Sequence, residues 1–171
     1  MCYPNLARRL AALRVHGMAV RYYHDDVGIN SRLDTLQAAV LRIKLRHLDE
    51  WTEARQANAR LYAQLLGAGT PLVALPVIAE YQTRHVFNQF VVRSPRRDAL
   101  REYLRAHGVG SKIYYPLPLH RQVCFRDLGY KDGDFPVSEQ AAHEVLALPV
   151  YPGLSAADIG YVAALLQEFR G

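Results

Sequence analysis

An α/β (α+β) sandwich, in which a long N-terminal helix and later helices pack against a small sheet, is the fold this sequence predicts. Three observations carry that expectation. Apolar residues recur at helical 3,4 spacing between residues 31 and 66 (Leu33, Leu36, Val40, Ile43), three short segments have the pattern of strands, and helical segments separate those strands. Along the chain the order reads helix, long helix, β, α, β, α, β, α. At 171 residues the chain fits one domain of ordinary size, able to bury roughly 70% of its unfolded surface.

Each element has its own signal. Residues 5–16 place Leu6, Leu10 and Leu13 on one face and arginines on the other, with Gly17 positioned as a C-cap. The stretch "MAVRYYHDDVGI" (18–29) reads as an aromatic and acidic loop ending at Gly28. The main helix then runs from about Ser31 to Leu66, where Gly67 and Gly69 end it. Leu41, Leu45 and Leu48 give it a second apolar flank, so it is expected to pack on its own domain and on something else. "TPLVALPVIAE" (70–80) is an irregular linker around Pro71 and Pro76, and "RHVFNQFVVR" (84–93) alternates as a strand. Pro95 starts a helix through His107, closed by Gly108. "VGSKIYYP" is a second strand that runs into the turn "PLPLHRQ". "FPVSEQAAHEVLALPVY" gives a helix leading into a third strand near Leu146–Val150. In "SAADIGYVAALLQEFR", Ser155 is the expected N-cap, and Asp158 three residues on resembles a capping box.

Composition excludes several classes of function. Half the residues are apolar and 22% are charged, which is globular rather than disordered usage. The net charge is +5, and only Lys44, Lys112 and Lys131 among the 21 basic residues are lysines. No basic block exceeds two adjacent residues, which argues against a nucleic-acid tail. Cys2 and Cys124 stand far apart with no CxxC spacing, as expected of two reduced thiols in a cytoplasmic protein. The seven histidines show no HxxxH or HxH spacing, so no metal site is expected. No GxSxG, GxGxxG or P-loop occurs, and Asp25 and Asp26 read as a solvated loop pair. No apolar run is long enough to span a membrane, and the N-terminus lacks the core of a secretory signal.

One stretch carries more chemistry than a surface helix needs. "GINSRLDTLQAAVLRIKLRHLDEW" (28–51) sets Asn30, Ser31, Arg32 and Asp34 at the expected helix start. Gly28 permits a close backbone approach, Asn30 or Ser31 can cap the helix, and Arg32 offers a forked donor to phosphate or carboxylate. An anion would be favoured there by the free backbone N–H groups and the helix dipole. Taken singly, each residue also reads as a cap, a surface group or an ion-pair partner.

Together with the rest of the chain, these residues resemble a known family. "GINSRLDTLQAA" is similar to the GxNxRxDxxQAA stretch of the DegT/DnrJ/StrS sugar aminotransferases, pyridoxal-phosphate enzymes of fold type I. "LARRLAALRVHGM" resembles the segment leading out of their large domain, "HVFNQFVVR" their HxxxxFxxR strand, and "GVGSKIYYPLPLHRQ" their strand and proline turn. "ALPVYPGLSAADIGYVAALLQEF" resembles their closing element. The resemblance implies the C-terminal small domain of such an enzyme: residues 1–27 a remnant of the large-domain end with its connecting loop, and residues 28–171 the small domain. It implies that Asn30 reaches the phosphate of a cofactor held by a partner subunit. Arg32 and Asp34 match positions bracing the helix start, and Arg32, Tyr115 and His120 match positions facing a keto-sugar nucleotide.

The family's Schiff-base lysine lies upstream of the segment that begins here, in a serine- and phenylalanine-rich context that surrounds none of Lys44, Lys112 and Lys131. The resemblance therefore implies no catalytic residue in this chain, and pyridoxal phosphate only together with the large domain. Three readings stay open: a truncated sugar-nucleotide transaminase of polysaccharide biosynthesis that is inactive alone, one half of a split enzyme completed by a large-domain chain, and a non-catalytic sugar-nucleotide-binding or dimerisation module. All three imply a cytoplasmic protein, as a homodimer or with a complementing chain, with no nucleic-acid or membrane partner.

Overall fold

A computed structural model describes residues 3–67 and 70–171, except for the side chain of Cys124; Cys2 and Gly69, named above, lie outside the described residues. The chain forms two compact units, residues 1–47 and 48–171. The sequence reading divides it instead at 27/28. Backbone bonds tie the residues just after 28 to the first unit: Ile29 N donates to Leu13 O (2.9 Å) and Ser31 N to Arg14 O (2.8 Å).

In the first unit, α1 (Pro4–Leu13) starts on a proline, which suits a helix start because its missing N–H would be unpaired there anyway. The helix stops earlier than expected, and Gly17 closes the turn after it with its N–H on Ala12 O (2.9 Å). The expected loop 18–29 contains a small antiparallel hairpin, β1 (Met18–Val20) with β2 (Tyr23–His24), turning through Tyr22 at φ 71°. α2 (Thr35–Leu45) follows.

The single helix expected over residues 31–66 is two helices, α2 and α3 (Leu48–Leu66). Neither Asn30 nor Ser31 caps α2. The residue before its first turn is the extended Asp34, whose side chain makes no capping bond. At the other end, Arg46 N and His47 N reach only three residues back, to Ile43 O and Lys44 O, and this tightened turn stops the helix. Periodicity did not reveal the break because apolar residues continue through it. Apolar residues of α2 are exposed, Leu36 at 83% and Ile43 at 60%.

The second unit holds the core. β3 (Phe90–Arg93) pairs antiparallel with β4 (Val145–Leu148), Phe90 opposite Leu148 and Arg93 opposite Val145. Tyr62 and Leu66 of α3, Leu100 and Leu104 of α4 (Arg97–Ala106), and Ile159, Val162 and Leu166 of α6 (Ala156–Glu168) bury their side chains with those of Phe90, Val92, Leu146 and Leu148. α5 (Pro136–Glu144) leads directly into β4.

Two expected strands are shorter than predicted. Residues 84–89 stay out of the ladder: Phe87 has φ 45°, and Gln56 and Arg55 of α3 donate to the carbonyls of His85 (2.9 Å) and Asn88 (3.5 Å). "VGSKIYYP" makes one isolated bridge, Lys112 opposite Ala147, rather than a strand. Residues 119–121 and 123–128 form short 3-10 helices beyond it. The cap of α6 is as expected: Asp158 N donates to Ser155 Oγ (3.1 Å), and that hydroxyl donates to Asp158 Oδ2 (2.6 Å).

Candidate functional site

The polar stretch after Gly28 is an irregular turn held against the end of α1. A Cβ on Gly28 would stand 2.3 Å from Gly17 N and 2.4 Å from Leu13 O, so only glycine lets the two backbones meet. Three bonds then fix the turn: Ile29 N to Leu13 O, His16 N to Ile29 O (3.0 Å), and Ser31 N to Arg14 O. Asn30 sits between them, bridged to Val15 and exposed to solvent. Its Oδ1 accepts from Arg32 Nε at 3.1 Å. That bond settles the amide's orientation: the oxygen is engaged by the guanidinium, and the two Nδ2 protons remain to donate. Among the described residues no hydrogen bond engages the terminal nitrogens of Arg32. N–H donors of this kind can bond an oxyanion.

Tyr115 and His120 belong to the second unit and differ in setting. Tyr115 is 72% exposed, with its ring edge-on to Tyr114 at 5.9 Å. The side chain of His120 is 8% exposed, packs against the Phe135 ring at 4.8 Å, and puts Nε2 3.0 Å from Glu139 Oε1. A carboxylate only accepts, so Nε2 carries the proton. No hydrogen bond or ring contact joins Tyr115 to His120 among the described residues.

Glu139, which the sequence reading did not single out, organises this region. Its carboxylate also accepts from Gly133 N (2.9 Å to Oε2) and Phe135 N (3.3 Å to Oε1). The bond from Gly133, then those from Phe135 and His120, hold its carboxyl below the usual carboxylate range. The available signal was a glutamate in the first turn of a helix, just after a glycine-containing loop, where a carboxylate can reach back to free N–H groups. Among the described residues no group of three or more His, Cys, Asp or Glu could hold a metal, and no helix is long and apolar enough to cross a membrane.

The sequence profile of the DegT/DnrJ/EryC1/StrS aminotransferase family matches residues 3–167, which include both sets of residues. The chain belongs to this family. It is 44% identical over 166 residues to the pleiotropic regulatory protein of Geobacillus stearothermophilus, covering 96% of this chain and 44% of that protein. It is also 44% identical over 151 residues to a dTDP-3-amino-3,4,6-trideoxy-alpha-D-glucose transaminase of Streptomyces venezuelae, covering 88% of this chain and 39% of that enzyme. DesV of S. venezuelae, solved in complex with a ketimine intermediate, superposes with a TM-score of 0.88 at 41% identity over 97% of this chain and 44% of its own. The chain thus spans less than half the length of these DegT/DnrJ/EryC1/StrS relatives.

Proposed function

We propose that this chain is the C-terminal part of a pyridoxal-phosphate-dependent aminotransferase that acts on keto-sugar nucleotides, working in the cytoplasm as a dimer with a lysine-bearing large domain. The observation that supports this most is the family match over residues 3–167, with the Asn30–Arg32 turn folded so that both side chains have donors to spare. Relatives named as transaminases of dTDP- and UDP-linked sugars support the substrate class. When bound, the cofactor supplies the aldehyde that takes up the amino group and the ring that stabilises charge as a proton leaves.

The donor chemistry of Asn30 and Arg32 fits the phosphate end of that cofactor, which offers only acceptors. Asn30 Nδ2 would donate to the phosphate, and the Arg32 guanidinium would orient the amide while facing the substrate. Tyr115 would present its phenol to the sugar nucleotide. His120, with Nε2 committed to Glu139, would hold the loop before α5 in place and leave Nδ1 for substrate. No lysine of this chain stands in the expected context for an imine: Lys44 is on α2, Lys112 at the bridge to Ala147, and Lys131 in the loop before α5.

The test is cofactor affinity in the enzyme assembled with its lysine-bearing domain. A charge-assisted hydrogen bond contributes ~1.5–3 kcal/mol, so Asn30→Ala should weaken cofactor retention about 10- to 150-fold. Arg32→Ala should act mainly on substrate affinity. Unchanged cofactor affinity in Asn30→Ala, with a lowered melting point, would reduce Asn30 to a structural residue of the turn and refute the reading.

A further inference from the structure

A cleft of about 730 Å³ lies in the second unit between α3 and the segment 74–85. Gln56, Arg60, Ala63 and Gly67 recur at helical spacing, so one wall is a single face of α3 and its end. The facing segment is tied down at both ends. Ala74 exchanges two backbone bonds with Arg93 of β3 (2.8 and 2.9 Å), and Gln56 Nε2 donates to His85 O at 2.9 Å. Between these anchors a turn is closed by Gln82 N on Ala79 O (2.9 Å) and by Ala79 N on Gln82 Oε1 (3.3 Å). Buried Ala59, Phe87 and Phe90 give the cleft an apolar floor, and exposed Val77 and Ile78 give it an apolar rim.

Several polar groups of the cleft already have partners: Gln56 and Gln82 make the bonds just given, and Arg84 Nη2 donates to Asp49 Oδ1 at 2.9 Å. Arg60 and His85 each keep a free donor. Arg60 has no hydrogen bond or ion pair among the described residues, and no aspartate or glutamate lines the cleft. His85 Nδ1 accepts from Phe87 N (3.1 Å), so the proton of the ring is on Nε2, which makes no bond among the described residues. The imidazole lies against the Phe87 ring at 4.2 Å. Arg60 is one helical turn from Gln56, about 5–6 Å between Cβ atoms, and Gln56 touches His85; guanidinium and imidazole therefore stand near each other on the cleft wall.

We propose that this cleft binds a small monocarboxylic acid with an apolar body, its carboxylate on Arg60 and the His85 Nε2–H and its body over the floor. One unpaired guanidinium and one neutral donor match a single negative charge, and the arginine fork suits a carboxylate. A phosphate dianion would leave charge uncompensated above an apolar floor, which is costly. The volume lies within the roughly 300–1,000 Å³ typical of small-molecule sites, and an apolar lining with a few polar groups is their usual make-up. None of the residues placed near cofactor or sugar nucleotide above lines this cleft, and the proposal does not draw on the transamination reading.

NMR titration of the 171-residue chain with 4-phenylbutanoate, with its uncharged amide and with acetate tests it. The acid should bind saturably, shifting the amide signals of Arg60, His85 and Phe87. The amide, which lacks the charge, and acetate, which lacks the body, should each bind at least roughly tenfold more weakly. Arg60→Gln should weaken the acid by the same factor and leave the amide unchanged. Ala63 is exposed on the cleft, so Ala63→Phe fills it without entering the core and should abolish binding of both, while melting curves check the fold of each variant. Arg42→Gln on α2, outside the cleft, should change nothing. Four results overturn the proposal: no saturable binding of the acid, equal affinity for acid and amide, undiminished binding in Ala63→Phe, or a loss in Arg42→Gln as large as in Arg60→Gln.

Discussion

Replacing Gly28 by alanine tests how the Asn30–Arg32 turn is held. Gly28 does not occupy the left-handed region, so the substitution adds no backbone strain of that kind and isolates the steric effect. The new Cβ would stand 2.3 Å from Gly17 N, where ordinary contact begins at 3.4 Å, so one backbone segment must retreat by about 1 Å. Such a shift carries the bonds at Ile29 N (2.9 Å), His16 N (3.0 Å) and Ser31 N (2.8 Å) beyond hydrogen-bonding distance. At ~0.5–1.5 kcal/mol each, the three losses sum to about 1.5–4.5 kcal/mol. Alanine returns ~0.4–1 kcal/mol by restricting the unfolded chain, which leaves a net cost of roughly 1–4 kcal/mol. Amide exchange by NMR reads this directly. Protection at His16, Ile29 and Ser31 should fall roughly fivefold at least and up to several hundredfold, while the β3–β4 amides keep theirs. Gly160→Ala is the control: it lies inside α6 with nothing within 4 Å of its added Cβ. Wild-type protection at the three amides in Gly28→Ala would refute the close-approach argument.

Two further outcomes concern the second unit. Arg97 is 7% exposed and its Nη1 donates to Ala142 O (3.0 Å) and Val145 O (3.3 Å), tying α4 to the junction of α5 and β4. Arg97→Met keeps the volume but orphans two carbonyls while relieving a buried charge, so urea unfolding should show a net loss of about 1–3 kcal/mol. A gain in stability would mean that desolvation of the guanidinium outweighs its bonds. Tyr62 has its hydroxyl buried without a partner among the described residues and its ring stacked on Phe90 at 4.9 Å, and burial drives its phenol pKa far upward. Tyr62→Phe should therefore leave stability unchanged or raise it by roughly 1 kcal/mol; a loss of that size by the same assay would reveal an unseen partner.

Where a feature depends on residues within a few positions of one another, the sequence alone determined it. Ser155 caps α6 through Asp158, three residues away, and α4 and β4 fall within a few residues of their predicted places because a proline, a glycine and an apolar run mark them. The GxNxR stretch and four further motifs in order along the chain identified the family without any structure, since residue type in order was enough. Tertiary structure decided what depends on distant partners. Periodicity carried one helix through Arg46 and His47, whereas the backbone tightens there and separates α2 from α3. Asn30 and Ser31 have the chemistry of helix caps, yet the end of α1 takes their segment's backbone bonds and moves the helix start to Thr35. His120 was singled out by the resemblance alone, and nothing local pointed to its partner Glu139, nineteen positions on. One cleft of the second unit is lined by Arg55, Arg101, Arg105 and Lys112, which come from elements that no local pattern connects. A cap or a helical stripe is complete within one turn of chain, whereas a bridge, a clamp or a cleft exists only once segments far apart in sequence have packed together.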